Sequence, residues 1–328
     1  MVSKLLASTE RVSDPQLGYF LLILANKFKV EAIPKVLALA EHQLSAIVEG
    51  RELAGPGGEP QSVPTEARVA LAKDIYGILA GVLRRYTGSS LRPIFTTLLQ
   101  GPANPDYGHI LARDFDIIFR PHPCLTKDLN ATVKPLWSQK AYINLVKPML
   151  PLAWPQRQDA PASELSRANY SVAVLSAVRH LPHGVYADDA ADLIRLVLCA
   201  LRSLPAGPDA EAALRVLETL ARESPAPLVP FLNSVVDACA GIIGGAAPDV
   251  SWMPKGYAPS ADKGGKVRAR CRNLAIVLLG YLPAGFEHGK LRSAGPRVRR
   301  LLAVACGDGV RGVRKAALAA KVAWEAVN

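Results

Sequence analysis

His180 and His183 stand three residues apart, with Asp188 and Asp189 close behind, and together they hold donor atoms of the kind a tetrahedral metal site uses. Pro182 lies between the histidines and breaks any helix that would set them on one face. The residues therefore favour a polar turn over a metal centre. His122 and Cys124 make a second pair, in Pro121-His122-Pro123-Cys124, but a lone His-x-Cys supplies two ligands where four are needed. The five cysteines, at 124, 199, 239, 271 and 306, are odd in number and unclustered. A cysteine-ligated cluster wants short repeated spacings, and a secreted disulfide framework wants an even set. Four of the five sit among apolar residues at helical period and read as small residues at helix crossings. Gly264-Gly265-Lys266 has the end of a phosphate loop without its upstream glycine or a preceding strand. No GxxxxGK(S/T), GxGxxG or GxSxG occurs. The expectation is a protein that is not an enzyme, with no catalytic residue, no cofactor-binding residue and no metal.

One feature of charge stands out. Residues 263–328 hold 14 Lys/Arg against 3 Asp/Glu, which accounts for the whole net charge of +11, so residues 1–262 are neutral overall. Arg268, Arg270 and Arg272 alternate along one stretch; Arg297, Arg299 and Arg300 begin the next; Arg311, Arg314 and Lys315 begin the last. Such a basic cap suits an acidic protein or a nucleic acid. Base stacking would have only Tyr281, Phe286 and Trp324 to use. Arg314 is assigned to a structural ladder with Asp308 in the preceding turn, while Arg297, Arg299, Arg300, Arg311 and Lys315, with Trp324, are the candidate partner-binding residues.

Those residues must be carried by helices. Half of the 328 residues are hydrophobic and only 6% aromatic, a composition for close-packed helices. Periodicity predicts helices over 15–29, 32–48, from 65, 89–100, 105–119, 124–135 and 136–153. Val174-Leu175 through Leu181-Pro182 recurs as Val216-Leu217 through Ser224-Pro225, a spacing of 42 from 174 to 216, and again at Val277-Leu278 through Leu282-Pro283. The pairs Val267-Arg268 and Val313-Arg314 each open an amphipathic helix, 46 residues apart. Two-helix units of 40–47 residues are the mark of HEAT and armadillo arrays, in which each unit buries its apolar stripe against its neighbours. The expected fold is all-α, an α-solenoid of about seven HEAT-like helix pairs, an irregular helical bundle being the alternative. The array is read as one domain over 1–328, interrupted by flexible Gly/Pro insertions near 50–64 and 244–264. Its apolar opening, Tyr19 to Leu24, reads as the carboxyl-side part of a longer array. No stretch is read as a membrane span.

The tail Val313-Arg314-Lys315-Ala316-Ala317-Leu318-Ala319-Ala320-Lys321-Val322-Ala323-Trp324 resembles the terminal helix V-R-K-x-A-V-x-A-R-x-x-W of a known family. This is the large HEAT-repeat adaptor of the cytosolic iron–sulfur assembly targeting complex, the methyl-methanesulfonate-sensitivity protein nineteen family. Leu318 and Lys321 are mild departures. Asn169-Tyr170 through Leu181-Pro182 is similar to the family's "NYLKGLSHVLNRLP", and Asp114-Phe115 to its "DGF". The likeness runs over roughly 65–328 and is closest over 136–328. It implies a non-catalytic adaptor, cytoplasmic and nuclear. Its implied partners are a small cluster-handling subunit, a WD40 propeller subunit and iron–sulfur apoprotein clients, including DNA repair and replication enzymes. No membrane is implied, and direct nucleic-acid binding is the rival reading rather than the expected one.

Overall fold

Apolar residues at helical spacing become fourteen helices in a computed structural model, which describes residues 15–54, 60–61, 64–154, 163–245 and 265–327. Where the sequence suggests one array, the chain forms two compact units, Met1–Val185 and Tyr186–Asn328.

The first unit contains α1 (Pro15–Lys27), α2 (Ile33–Val48), α3 (Thr65–Leu83), α4 (Leu91–Gln100), α5 (Gly108–Phe119), α6 (Trp137–Ala141) and α7 (Glu164–Val178). Helices α1, α3, α5 and α7 stack in chain order as one layer, with α2, α4 and the continuation of α6 in the other. Lying between α1 and α5, α3 is buried almost throughout, and so is α7, which packs on α5 and on the turns Gly101–Ala103 and Lys147–Leu152; both sequences are accordingly apolar all round rather than striped. Close approach of α1 and α3 rests on Gly81, where a Cβ would lie 2.3 Å from the Leu22 carbonyl oxygen. Pro148 and Pro151 have no N–H to offer a ladder, and α6 accordingly runs on as a π-turn (Tyr142–Val146) and a 3-10 stretch (Lys147–Leu152).

The second unit contains α8 (Ala190–Ser203), α9 (Pro208–Glu223), α10 (Leu232–Gly244), α11 (Lys266–Gly285), the short α12 (His288–Leu291), α13 (Gly295–Ala305) and α14 (Arg311–Glu325). Here α9, α11 and α14 form one layer and α8, α10 and α13 the other. Each unit is thus a length of α-solenoid, all-α apart from one ladder of two residues a side.

Helix ends explain much of the polar structure. The last carbonyls of a helix lack partners, and in the first unit side chains of neighbouring helices supply them. Ile117 would normally receive an N–H from residue 121, which is Pro121; the His122 Nε2–H donates to its carbonyl instead, at 2.9 Å. Arg84 donates to Ile118 O (3.1 Å) and Arg120 O (2.8 Å), closing the end of α5. Asn26 donates to Gly81 O (3.1 Å) at the end of α3 and to Thr132 O (2.9 Å), while its own Oδ1 accepts from Thr132 N (3.0 Å).

Those last bonds mark a correction. The helix expected over 124–135 is a loop with a single 3-10 turn, Lys127–Leu129. Asn130 adopts a left-handed conformation (φ 54°) that stops the turn, and beyond it Thr132 gives its backbone groups to Asn26 and the Lys134 N–H goes to Arg84 O. The insertion near 50–64 also departs from expectation, since Leu53 and Ala54 pair antiparallel with Gln61 and Pro60. Residues 55–59, 62–63 and 246–264, which hold the rest of the two insertions, lie outside the described residues. One run, Ala226–Gly244, reaches the length and hydropathy (1.6) of a membrane-crossing segment, against the expectation that none would. Its apolar composition has a local account: Leu228, Leu232, Val235, Val236, Cys239 and Ile242 are buried, and the run packs on α8, α11 and α13.

Candidate functional site

On α14, two stripes of equal spacing separate the inside from the outside. Val313, Ala317, Ala320 and Trp324 face inward and are buried, while Arg311, Lys315, Leu318 and Val322 face outward and are exposed. Offset by two residues, the stripes lie on opposite sides of the helix. Leu318 and Val322 each retain 61% of their accessible surface, and Val304 on the adjacent α13 retains 76%. Two cations followed by two uncovered aliphatic side chains make this the most chemically distinctive face of the second unit.

Most of the other cap arginines have partners within the unit, several of them while still exposed. Arg297 pairs with Asp237 of α10. Arg299 donates to the Val327 carbonyl (2.9 Å) and Arg300 weakly to Pro296 O of its own helix (3.4 Å). Arg270 pairs with Glu211 (3.1 Å), which also holds Arg215 (2.9 Å). The expected ladder is corrected in its partner: the Asp308 carboxylate is gripped by Arg272 of α11 (2.8 and 3.2 Å), not by Arg314. Arg314 instead donates to the backbone carbonyls of Asp308 (2.7 Å) and Gly309 (3.1 Å). The Arg272 bond, with that from Val310 N–H, holds the Asp308 carboxyl below its usual range. Trp324 is a second correction. It is 0% exposed, and its indole N–H donates to Leu279 O at 2.8 Å. Its large apolar ring is core, so it is unavailable to a partner. Sequence reasoning also passed over Leu318 and Val322, although the outward spacing 311, 315, 318, 322 was there to be read.

In the first unit, Asp116 receives Arg179 and His180, which accounts for His180 without a metal. Burial by itself would raise its carboxyl, yet the bonds from His180 and Arg179 hold it at about 2. Gly265 is the left-handed residue (φ 68°) before α11, and Lys266 is that helix's first residue. Cys239 and Cys271 are buried, Cys124, Cys199 and Cys306 are half-buried, and none of the five is in a disulfide. Burial pushes the Cys239 thiol up to about 12 and raises that of Cys124. Among the described residues no three His, Cys, Asp or Glu side chains gather as metal ligands would.

A cavity of about 330 Å³ between α1, α3 and α5 is lined by Asp114 and His122 among others. Burial, with some help from Asp116, pushes the Asp114 carboxyl up to about 6 against the opposing pull of Lys73, Arg113 and Arg120. Asp114 Oδ2 and His122 Nδ1 have no hydrogen-bond partner. An acid raised in the folded state binds its proton more tightly there than when unfolded. Asp114 therefore subtracts stability as pH rises from about 4 to 6, and the loss is complete above that. His122, held near 4 mainly by burial, gives the opposite slope over about pH 4 to 6.5. The informative quantity is thus a difference. Asp114→Asn is expected to match the wild type in unfolding free energy from urea titration near pH 4 and to exceed it at pH 7 by about 3 kcal/mol. Equal free energies at both pH values would remove the assignment.

The class defined by these features is a helical-repeat protein whose conspicuous surface is a helix face rather than a catalytic pocket. The MMS19 C-terminal family model, described as RNAPII transcription regulator C-terminal, matches residues 3–239, and the chain belongs to that family. The match covers the first two helices, which lie outside the 65–328 likeness read from the sequence, and ends before α11, so the tail that carried the resemblance lies beyond it. No curated protein matches the chain. Among solved structures, a designed armadillo repeat protein in complex with the peptide (KR)4 is similar over 92% of this chain and 98% of that one, at 12% identity and a TM-score of 0.34.

Proposed function

We propose that the chain is a non-catalytic docking scaffold of the cytosolic iron–sulfur targeting machinery. In this reading it holds a small cluster-handling subunit and a WD40 propeller subunit while clusters pass to cytosolic and nuclear apoproteins, DNA repair and replication enzymes among them. Family membership supports the setting. The observation that carries the docking role is the outward stripe of α14, where Arg311 and Lys315 precede the exposed Leu318 and Val322. An acidic partner surface with an apolar centre would neutralise the first pair and cover the second. The rival, a nucleic-acid surface, is disfavoured because Arg270, Arg272 and Arg297 are each paired with a carboxylate of the same unit.

The test is co-elution of the full chain with the two purified subunits on size exclusion. Arg311→Glu with Lys315→Glu, or Leu318→Glu with Val322→Glu, is expected to weaken association by about tenfold or more with helicity unchanged. Wild-type association by both double variants would overturn the reading. A salt-titrated gel shift checks the rival, whose affinity would fall steeply with salt.

A further inference from the structure

A second surface, in the first unit, has a chemistry of its own. An open groove of about 560 Å³ lies between the α3–α4 loop, α4 and α6, walled by Tyr86, Phe95 and Trp137 and edged by Arg92 and Lys140. Its volume falls in the range of ligand sites. The Trp137 wall is fixed from behind: the Arg84 guanidinium sits 4.3 Å from the centre of one ring, and Phe119 stacks with centroids 6.4 Å apart. Gly88 permits the Tyr86 wall, because a Cβ there would fall 2.1 Å from the Tyr86 hydroxyl. Three residues on from Lys140, Ile143 in the π-turn stands half exposed.

The charge of the groove is one-sided. Residues 84–105 contain no Asp or Glu, nor do residues 129–158, and the fold brings residues 129–154 of the second stretch against the first. No carboxylate lines the groove, and Arg92 and Lys140 are exposed on its edge. A rigid aromatic slot between unneutralised cations is complementary to an acidic segment that carries a bulky apolar side chain. A nucleic-acid strand would ask for a longer basic track, whereas Arg92 and Lys140 are the two cations that line this groove.

We propose that this groove docks an acidic peptide segment of a partner protein, with one large aliphatic or aromatic side chain seated against Phe95 and Trp137 and flanking carboxylates on Arg92 and Lys140. The inference is independent of the α14 stripe. The probe is a fluorescein-labelled nonapeptide of Asp and Glu with a central Leu, titrated against the full chain by fluorescence polarisation. Companion probes are the same peptide with a central Gly and a labelled oligothymidylate. Saturable binding of the Leu peptide is expected, weaker by about tenfold for the Gly peptide, for Phe95→Ala, and for Arg92→Glu with Lys140→Glu. Binding weakened by Arg311→Glu with Lys315→Glu and not by Arg92→Glu with Lys140→Glu would assign the peptide to the α14 face and overturn the proposal. Circular dichroism confirms the fold of each variant, and the exposed Arg92 and Lys140 positions keep the test open should Phe95→Ala unfold. No saturable binding, equal binding of the Leu and Gly peptides, or indifference to Arg92→Glu with Lys140→Glu would overturn the proposal. So would binding of oligothymidylate alone with the same sensitivity.

Discussion

Trp324→Ala is expected to destabilise the second unit by about 3–5 kcal/mol, a large fraction of the stability of a domain this size. Two losses combine. The first is volume, for Trp324 is the largest fully buried side chain described and is enclosed where α14 meets α11 and α13. The second is a hydrogen bond with an unusual origin. The Leu279 carbonyl belongs to α11 and would ordinarily receive the N–H of residue 283, but residue 283 is a proline inside the helix. The indole N–H of Trp324 takes that place at 2.8 Å. A buried carbonyl left without a donor costs about 1–3 kcal/mol. Trp324→Phe should therefore lose roughly that amount while keeping most of the packing. Pro283→Ala restores an N–H at position 283, so the double variant Trp324→Phe, Pro283→Ala is expected to recover part of the loss. Urea unfolding followed by circular dichroism over the four corners of this cycle measures the coupling. Additive effects would show that the Trp324 bond does not compensate for Pro283.

Arg84→Met is expected to cost the first unit about 2–4 kcal/mol. Arg84 is 4% exposed and faces carbonyl oxygens, donating to Ala80, Ile118 and Arg120. Burial pulls its guanidinium down to about 10, so the charge is held at a cost, and Met relieves part of it. What Met cannot replace is the fork that joins α3 to the end of α5, where Pro121 and Pro123 remove the N–H groups that would continue the ladder. Ile118 O and Arg120 O would be left to whatever water can reach them. Arg84→Lys retains the charge but not two-pronged donation, and is expected to fall between Met and the wild type. Since Arg84 also backs Trp137 at 4.3 Å, the Met variant should broaden the tryptophan's environment, and a Trp137 side-chain NMR resonance that keeps its wild-type shift would contradict the role assigned here.

Much of the architecture was legible because its code is local. The spacing of Val313, Ala317, Ala320 and Trp324 identifies the inner face of α14, and the 42-residue recurrence from Val174 to Val216 identifies the repeating helix. Periodicity at 3.6 residues needs no knowledge of the neighbour it will meet. It failed over 124–135, where apolar residues recur but the backbone bonds are taken by Asn26, more than a hundred residues earlier in the chain.

The candidate sites divide along the same line. The sequence by itself determined that the chain is a helical array with its surplus charge at one end, and that its histidines and cysteines are too scattered for a familiar metal motif. The tertiary structure alone decided which charges remain available. It gave Asp308 to Arg272 rather than to Arg314, 36 residues apart in sequence, and Arg297 to Asp237, 60 apart. It turned Trp324 inward to serve Leu279, and it set residues 84–105 against 129–154 to form a groove with no carboxylate. The physical reason is that helix formation is settled within a few residues by side-chain spacing, whereas an ion pair, a cap or a groove depends on distances between helices that packing alone fixes.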